Sequence, residues 1–565
     1  MGSLKENIFI AAGKFQAPLV LKNAKIINVF TQSIEENDIA INGDRIVGIG
    51  SYSGIEEIDC SGLYAAPGFI DAHVHIESSM VTPEVFSQLL LRRGVTTAVV
   101  DPHEIGNVLG NKGIDFMLEN SKKSVMDLFF MVPSCVPCTP FEDSGATLLA
   151  ENLEGYLNNP QVLGLGEVMD TPAVINGQED MLKKLSAFEK SHIDGHCPGI
   201  EDAWLNAYLC SHIKTDHESS TYEEALKKVQ RGMYVMLREG SATKNLRDLL
   251  PAVNNSNYNR FLLCTDDRHI QDLIEEGTID NSIRIAIEEG LDPIKAYTIA
   301  SHNAAVCYEL RNRGAIAPGY KADLVIFEDL QKLNIKKVIK NGKEYKEAIS
   351  YSSYDLGSSM NLNKITSDTF KIEAKGNFVN TIKLIPHSVE TILGKRKAIT
   401  ENKFLKALEG EDYLKIGVFE RHKNTGKKAV GFVEGLGLKN CTIAQSIAHD
   451  SHNVLVIGDN DEDMALAVNK IIDLKGGTVI VSQGKVLEAL ALPIGGLITS
   501  EDPYAVAEKL ENLTSLAREH GVKEDFDPFL TLGFLALPVI PEIKITPRGL
   551  FHFHKFDFID LFAEE

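Results

Sequence analysis

Between about residue 68 and residue 310, short apolar runs alternate with amphipathic segments. Eight apolar runs occur, and most end at a polar or ionisable residue: FIDAHVH, TTAVVDPHE, LFFMVPSC, VLGLGEV, IDGHC, IKTDHE, YVMLREG and FLLCTDD. Between the runs, segments such as PEVFSQLLLRR and TYEEALKKVQR have the apolar spacing of helices that pack on a sheet. Strand and helix alternating in this way over about 240 residues predict a (β/α)8 TIM-like barrel, whose active site lies at the C-terminal ends of the strands.

Two shorter β-like stretches flank this region. PLVLKNAKIINV and DIAINGDRIVGIG precede it, with Asn42, Gly43 and Asp44 as a turn, and GYKADLVIFED and KKVIKNGKEY follow it. Because the pattern returns on the far side of the barrel, we expect one small domain assembled from both ends. The prediction is a β-sandwich domain from residues 1–67 and 313–350, flanking a barrel at residues 68–312.

The pattern changes again after residue 345. The stretch EAISYSSYDLGSSMNLNKITSD is polar and has little periodicity, as in a linker. Beyond it, strand-like VLVIG and helix-like DEDMALAVNKIID indicate a mixture of both elements. We therefore predict a C-terminal α+β domain over residues 365–565, and an α/β fold class for the chain.

Composition and charge narrow the range of partners. The chain has 565 residues, 44% hydrophobic and 24% charged, with a formal net charge of −22. A strongly acidic chain is not expected to bind nucleic acid or an anionic membrane, because both partners are negatively charged. A small-molecule substrate is therefore favoured. The start MGSLKENIFIAAGK lacks a signal-peptide pattern, and the cysteines are scattered rather than framed as a disulfide scaffold. We expect a cytoplasmic protein with reduced thiols.

Two histidine pairs are candidate metal ligands. His73 and His75 are one residue apart, so on an extended strand both imidazoles point the same way. His196 and His217 end the fifth and sixth apolar runs. A divalent ion that activates water needs neutral nitrogens or carboxylate oxygens and an open position for the water. Two imidazole pairs therefore suit two ions.

Two carboxylates complete the predicted site. Glu167 ends the fourth run and is the natural bridge between the ions, while Asp266 ends the eighth. Asp266 would complete one coordination sphere and accept a proton from the water, a role that Asp267 could take instead. HxH spacing alone is weak, because His552 and His554 repeat it without strand-end ligands. We assign that second pair to a structural role.

Other ionisable groups follow the same strand ends. Each of these groups could contact the metal or the substrate, or could equally well lie in the solvated rim of the barrel mouth. They are Glu77, His103, Glu104, Arg238, Glu239, Arg268 and His269.

Longer motifs resemble a known family. PGFIDAHVH and SHNAAVCYELRNRGAIAPGYKADLVIF resemble the amidohydrolase superfamily of metal-dependent barrels. More narrowly, HIESSMVTP, DPHEIGNVLG, PSCVPCTP, GLGEVMD, DGHCPG, GMYVMLREGSA and CTDDRH are similar to motifs of the bacterial and archaeal adenine deaminase family. The resemblance extends to HDSHN and LPIGG near the C-terminus. It also implies that Glu167 stands where many superfamily members carry a carbamylated lysine, unlike the hydantoinase-like and dihydroorotase-like branches.

The resemblance implies an activity and a cofactor. The activity is hydrolytic deamination of adenine to hypoxanthine and ammonia, a step of purine salvage and adenine catabolism, by attack of a metal-activated hydroxide on C6. It implies Mn²⁺ or Fe²⁺ as the working ion, although these ligand types also accept Zn²⁺. We expect two ions per chain and a homo-oligomer, a dimer or higher. Asp266 would carry the proton to the leaving amine, and Glu77, Glu104 or Glu239 would protonate the ring nitrogen.

Two other functions remain open from the sequence. The same scaffold could hydrolyse another aminated heterocycle or a cyclic amide. A non-catalytic metal-binding or assembly protein could also keep the barrel. The C-terminal domain could cover the barrel mouth, form an oligomer contact, or add residues from HDSHN to the site.

Overall fold

The computed structural model describes residues 3–241, 243–346, 349–408 and 410–563. A short helix α1 (Leu4–Ala11), which Ser3 and Glu6 close with a capping box, precedes the first sheet. The strands before the barrel are β1 (Ala17–Asn28), β2 (Ser33–Asn42), β3 (Arg45–Gly50), β4 (Gly54–Asp59) and β5 (Tyr64–Pro67). Gly43 adopts a φ of 60° in the predicted turn between β2 and β3, a conformation that suits a two-residue hairpin loop.

The central domain is the predicted barrel. Its strands are β6 (Phe69–His75), β7 (Val95–Val100), β8 (Asp127–Val132), β9 (Val162–Val168), β10 (His192–Gly195), β11 (Thr215–Asp216), β12 (Tyr234–Arg238), β13 (Phe261–Cys264) and β14 (Asp266–Asp267). All their pairings are parallel, in the orders β10-β9-β8-β7-β6-β14 and β11-β12-β13.

The eighth barrel strand is interrupted at Thr265. Its first part, β13, pairs with β12, and its second part, β14, pairs with β6, so this strand joins the two parallel ladders. Asp266 has a positive φ of 57° at the interruption. Asp266 therefore lies beside Val74, between the two histidines of β6.

Helices surround the barrel as the amphipathic segments predicted. They are α2 (Pro83–Leu91), α3 (His103–Leu109), α4 (Asn111–Ser121), α5 (Ala150–Leu153), α6 (Thr171–Ile175), α7 (Glu179–Ala187), α8 (Asp202–Cys210), α9 (Tyr222–Gln230), α10 (Leu246–Leu249), α11 (Ile270–Glu275), α12 (Ile279–Glu288), α13 (Pro293–Thr298) and α14 (Ala304–Cys307). In the described part of the chain, no helix combines the length and the apolar character needed to cross a bilayer.

The first sheet is completed after the barrel. Strands β15 (Leu324–Phe327), β16 (Ile335–Lys340) and β17 (Lys343–Glu344) add to it, because β15 pairs antiparallel with β5. The sheet order is β17-β16-β15-β5-β1-β2-β3, with β4 on β1. The chain segments that enter and leave the barrel are thus neighbours in one sheet, as the repeated β pattern predicted.

The polar stretch that follows runs along the barrel surface. The predicted linker includes residues 347 and 348, which lie outside the described residues; the rest, to residue 366, forms neither helix nor strand. Ser350 donates its amide to Gln88 at 2.7 Å, and the Tyr354 hydroxyl donates to Glu84 at 3.1 Å. Helix α2 is consequently buried along its whole length.

The C-terminal part has the predicted α+β character. Its main sheet contains β18 (Phe378–Leu384), β19 (Thr391–Lys397), β22 (Leu414–Phe419), β23 (Lys428–Glu434), β24 (Thr442–Gln445), β25 (Val454–Gly458), β26 (Gly477–Ser482) and β27 (Lys485–Ala491). The remaining elements are β20 (Thr400–Glu401), β21 (Phe404–Leu405), α15 (Asp461–Asp473), α16 (Pro503–Glu519), α17 (Pro528–Phe534), β28 (Ile543–Thr546), β29 (Gly549–His552) and β30 (Asp557–Ile559). The loop between β24 and β25, residues 446–453, reaches the barrel mouth, by which we mean the C-terminal ends of the barrel strands; we call it the HDSHN loop.

Candidate active site

The first histidine pair meets Asp266 at the barrel mouth. Strand β6 carries His73 and His75 with their Nε2 atoms 3.1 Å apart. Asp266 Oδ1 lies 3.1 Å from His75 Nε2 and 3.5 Å from His73 Nε2. All three side chains are buried. The same-side geometry expected of an HxH strand is therefore present, and the neighbouring eighth strand adds a carboxylate to it.

Glu167 lies between this group and the second histidine pair. Its Oε1 is 3.3 Å from His75 Nε2 and 3.8 Å from His73 Nε2. Its Oε2 is 2.8 Å from His196 Nδ1 and 3.2 Å from His217 Nε2. One carboxylate thus presents one oxygen to each histidine pair, which is the arrangement a bridging ligand requires.

The donor set fits divalent metal ions. Ligand atoms of His73, His75 and Glu167 lie within 4.8 Å of one another, as do those of Glu167, His196 and His217. His75 Nδ1 lies 2.9 Å from the backbone carbonyl of Asp101 and can only donate to it, so its Nε2 presents a lone pair to the cluster. Crowded imidazole nitrogens and carboxylate oxygens in a buried site are the ligands that Zn²⁺, Mn²⁺ and Fe²⁺ accept.

The loops that carry the second pair are tied together by a buried ion pair. Asp216 accepts a hydrogen bond from the Cys197 amide at 2.9 Å and one from Lys228 Nζ at 2.8 Å. Lys228 also donates to the Cys197 carbonyl at 2.9 Å. Because Cys197 follows His196 and Asp216 precedes His217, these bonds set the spacing of the two imidazoles.

Asp266 is held as a carboxylate. Its Oδ2 accepts a hydrogen bond from Arg238 Nη1 at 2.8 Å. Burial raises the pKa of Asp266, but the Arg238 charge and the hydrogen bonds of His73 and His75 outweigh it and hold that pKa well below the usual range. A carboxylate that is ionised at neutral pH has a free oxygen lone pair with which to accept a proton from water.

Glu218 is a site residue that the sequence analysis did not select. It directly follows His217, forms an ion pair with Arg238, and lies 3.5 Å from His217 Nε2 and 3.9 Å from His196 Nδ1. Its only sequence signal is its position beside a predicted ligand in TDHES. Arg238 therefore contacts two carboxylates of the site rather than a solvated rim.

His103 and Asp101 support Glu167 from the second strand. His103 Nδ1 lies 3.2 Å from Glu167 Oε1, and the His103 amide donates to Asp101 at 3.1 Å. Asp101 also accepts the Glu167 amide at 3.0 Å. Burial lowers the pKa of His103, but Asp101, Asp450 and Glu167 raise it well above its ordinary value. Asp101 was not selected from the sequence, although it begins the DPHE motif.

The three candidate acids have different surroundings. The described residues that line the main cavity include Glu104 but neither Glu77 nor Glu239. Glu77 accepts the Ile105 amide at 3.1 Å, and burial, with the nearby Glu104, raises its pKa to about 7. Burial also raises the pKa of Glu239. Glu77 and Glu239 thus lie behind the cavity wall.

Glu104 is the candidate acid at the cavity, and its neighbours favour the ionised form. Its Oε1 accepts a hydrogen bond from His449 Nδ1 at 2.7 Å, and its Oε2 lies 2.5 Å from His452 Nε2. Burial raises the pKa of Glu104, but these two histidines outweigh it and hold that pKa well below its usual value. The prediction that Glu104 donates a proton is therefore not supported by its surroundings.

The residues after Asp266 divide between the cavity and the scaffold. Asp267 lines the cavity and accepts a hydrogen bond from Ser78 Oγ. Arg268 is fully buried and donates to the backbone carbonyls of Glu239 and Gly240 at 3.0 Å each, so its role is to hold loops. The backbone amide of His269 donates a hydrogen bond to Ser241 Oγ at 2.9 Å, where α11 begins.

A cavity of 780 Å³ opens onto the cluster. Barrel and C-terminal domain both line it, the latter with the HDSHN loop, α17 and residues 387–390 and 539–541. This volume suits a small organic ligand. His552, by contrast, has Glu542 at 3.7 Å as an ionic neighbour and is not among the described residues that line this cavity.

Two family models match this chain. Residues 64–345 match the amidohydrolase family, and residues 389–557 match the adenine deaminase C-terminal domain. A β-aspartyl dipeptidase structure from Fervidobacterium islandicum AW-1 is 18% identical, with a TM-score of 0.45, and covers 60% of this chain and 100% of its own.

Full-length relatives are more similar. Adenine deaminase 2 of Carboxydothermus hydrogenoformans is 46% identical over 97% of this chain and 98% of its own length. Adenine deaminase of Clostridium acetobutylicum is 45% identical over 99% of this chain and 100% of its own. Identity at this level along the whole length, together with both family matches, shows that the chain belongs to the adenine deaminase family of the amidohydrolase superfamily.

Proposed function

We propose that this protein catalyses the hydrolytic deamination of adenine to hypoxanthine and ammonia. The observation that carries the proposal is the position of Glu167 between His73 with His75 and His196 with His217, with the Asp266 carboxylate on the same cluster. The relatives named adenine deaminase align over nearly the whole chain, which supports adenine as the substrate.

We further propose two ions per chain, one held by each histidine pair. His73, His75 and Asp266 would bind the first, His196 and His217 the second, and Glu167 both. When bound, such ions lower the pKa of water and polarise the group under attack. The resemblance favours Mn²⁺ or Fe²⁺, while the same donor types also accept Zn²⁺.

The side chains of the chain itself would then move the protons. Asp266, kept ionised by Arg238, accepts a proton from the water that attacks C6 of adenine. It delivers this proton to the exocyclic amine as the C6–N bond breaks and ammonia leaves. Arg238 orients the carboxylate, because its other partner, Glu218, also holds the guanidinium in place.

A turnover assay on a panel of compounds tests this function. The protein, loaded with Mn²⁺ or Fe²⁺, is incubated with adenine, with other aminated heterocycles and with cyclic amides, and ammonia and hypoxanthine are measured. We expect adenine to be the best substrate, and Asp266→Asn and His73→Ala variants to be inactive while folded. His554→Gln, an exposed change in the second HxH pair, is the matched control. A faster reaction with a cyclic amide or another heterocycle would favour that activity instead.

Three further predictions belong to the same proposal. We propose domain boundaries at residues 1–67 with 313–350, 68–312 and 365–565; the pairing of β5 with β15 supports the first of these domains. We also propose a homo-oligomer, which size-exclusion chromatography can test, and a cytoplasmic location, which cell fractionation can test.

A further inference from the structure

The HDSHN loop places one histidine against the barrel. His449 Nδ1 donates a hydrogen bond to Glu104 Oε1 at 2.7 Å. Its ring stacks on Phe534 of α17, with ring centroids 4.5 Å apart and an interplanar angle of 10°. Glu104 and Phe534 are 430 residues apart by their numbers, so a barrel helix and a C-terminal helix together fix this ring. His449 has the rigid position that a group acting on a ligand needs.

The second ring nitrogen of His449 is available to a ligand. His449 lines the same cavity as His75, His103 and Asp266. Its Nδ1 is engaged by Glu104, and within the described ranges Nε2 makes no hydrogen bond to the protein. A nearly buried imidazole with one nitrogen bound and the other at the wall of the cavity is a typical proton donor in catalysis.

The two histidines of the loop differ in this respect. His452 is fully buried, and its Nδ1 accepts the amide of Ala448 at 3.2 Å. His452 is not among the described residues that line the cavity. It therefore serves to hold Glu104, while His449 connects Glu104 to the cavity.

The charges around His449 favour a protonated ring. Burial lowers the pKa of His449, but Glu104, Asp267 and Asp450 raise it to about 9. His452, the other histidine of the same loop, is kept neutral because burial lowers its pKa. At neutral pH, both nitrogens of His449 then carry protons, and Nε2 can donate one into the cavity.

We propose that His449 of the C-terminal domain contacts the purine and donates the proton that ring nitrogen N1 gains when water adds to C6. The inference rests on the proposed deamination. It assigns to His449 the role of ring-nitrogen acid, for which the sequence analysis had named Glu77, Glu104 and Glu239 as candidates. It also gives the C-terminal domain a part in the reaction, because the barrel alone lacks this donor.

The proton balance of the reaction closes with this assignment. His449 gives one proton to N1 as the water oxygen bonds to C6 and the N1–C6 double bond becomes single. Asp266 takes one proton of the water and passes it to the amine, which leaves as ammonia when the C6–N bond breaks. The second water proton leaves as the C6 carbonyl forms, and its return through solvent restores His449. Hypoxanthine keeps the proton on N1.

Binding and turnover together test the proposal. His449→Gln removes the donor, and His449→Phe removes both nitrogens but keeps the ring on Phe534; His554→Gln is the control. With metal content verified, we expect both His449 variants to lose about 100-fold in kcat for adenine. The decline of kcat on the basic side, which we expect near the pKa of His449, should disappear in both.

A binding comparison makes the test independent of turnover. Purine and 1-deazapurine, which lacks the N1 acceptor, are titrated by calorimetry. We expect the native protein to prefer purine by about tenfold, which corresponds to one hydrogen bond, and the His449 variants to bind both compounds equally. A native preference that persists in the variants would overturn the proposal, as would a kcat equal to that of His554→Gln. Absence of adenine turnover in native protein would instead overturn the proposed function.

Discussion

Arg238 donates a hydrogen bond to Oδ2 of Asp266 at 2.8 Å, while Oδ1 of the same carboxylate lies 3.1 Å from His75. One oxygen thus belongs to an ion pair and the other to the cluster of histidines. The positive φ of Asp266, 57°, is what turns the carboxylate into this position at the interruption of the eighth strand. The backbone conformation of Asp266 and its hydrogen bond from Arg238 therefore both determine where the base of the proposed reaction lies.

Replacing Arg238 with methionine should raise the pKa of Asp266, because the charge that favours the ionised form is lost. A larger fraction of Asp266 is then protonated at low pH, so the acidic limb of the kcat profile should move to higher pH. We expect kcat at neutral pH to fall by about 100-fold. Arg238→Lys, which keeps a charge, should lose less. A profile with an unmoved acidic limb would argue against this role of Arg238.

Replacing Glu167 with glutamine should reduce metal binding. The carboxylate has an oxygen at 3.3 Å from His75 Nε2 and another at 3.2 Å from His217 Nε2, so its charge serves both pairs. We expect elemental analysis to give fewer ions per chain than in the native protein, and activity to fall with them. His552→Ala should leave the metal content unchanged. An equal loss of metal in Glu167→Gln and His552→Ala would contradict the assignment of the metal site to the first HxH pair alone.

Replacing Lys228 with methionine should destabilise the protein and loosen the second histidine pair. Lys228 and Asp216 are fully buried, and removal of one partner leaves a buried charge without compensation. We expect a loss of about 3 kcal/mol in the free energy of unfolding, measured by denaturant titration, and weaker metal binding. Lys183→Met, which removes an exposed pair with Glu179, should leave stability nearly unchanged.

Asp127 should make stability depend on pH. This residue of β8 accepts hydrogen bonds from Lys340 at 2.9 Å and Arg313 at 3.0 Å, and so joins the barrel to the flanking sheet. Burial raises the pKa of Asp127, but Lys340, Arg313 and Lys321 outweigh it and lower that pKa. The stabilisation is therefore present above the unfolded pKa of about 3.9 and is lost as pH falls toward the folded value.

The corresponding measurement compares Asp127→Asn with the native protein. We expect the variant to be less stable by about 2 kcal/mol at neutral pH, because the lysines and the arginine lose their anionic partner. The difference should shrink as the pH falls below about 4, where the native carboxylate also begins to take up a proton. A difference that is constant with pH would show that packing, and not charge, is responsible.

The barrel and the clustering of these side chains at its mouth could be predicted from the sequence because the signals are local. A run such as FIDAHVH predicts both a buried strand and the direction of His73 and His75 at its end. Glu167 and Asp266 follow from the same rule, since strand ends of a barrel meet at one mouth. Glu218 and Asp101 were missed because the rule does not say which of two adjacent polar residues faces the cluster.

Residues whose roles depend on contacts with distant parts of the chain could not be identified from the sequence. His449 meets Glu104 across 345 positions of sequence, and no local pattern indicates that contact. The reverse case is Arg268, which follows a strand end but turns to the backbone carbonyls of Glu239 and Gly240. In both cases the tertiary contacts of a loop, rather than its sequence, decide whether a charged side chain reaches the cavity.

The most direct test of the account is a crystal structure of the Mn²⁺-loaded protein with purine bound, with the metal located by anomalous scattering. We predict manganese peaks on both sides of Glu167, purine C6 beside Asp266, and N1 within hydrogen-bond distance of His449 Nε2. Manganese at His552 and His554, or purine bound outside the cavity at the barrel mouth, would contradict it.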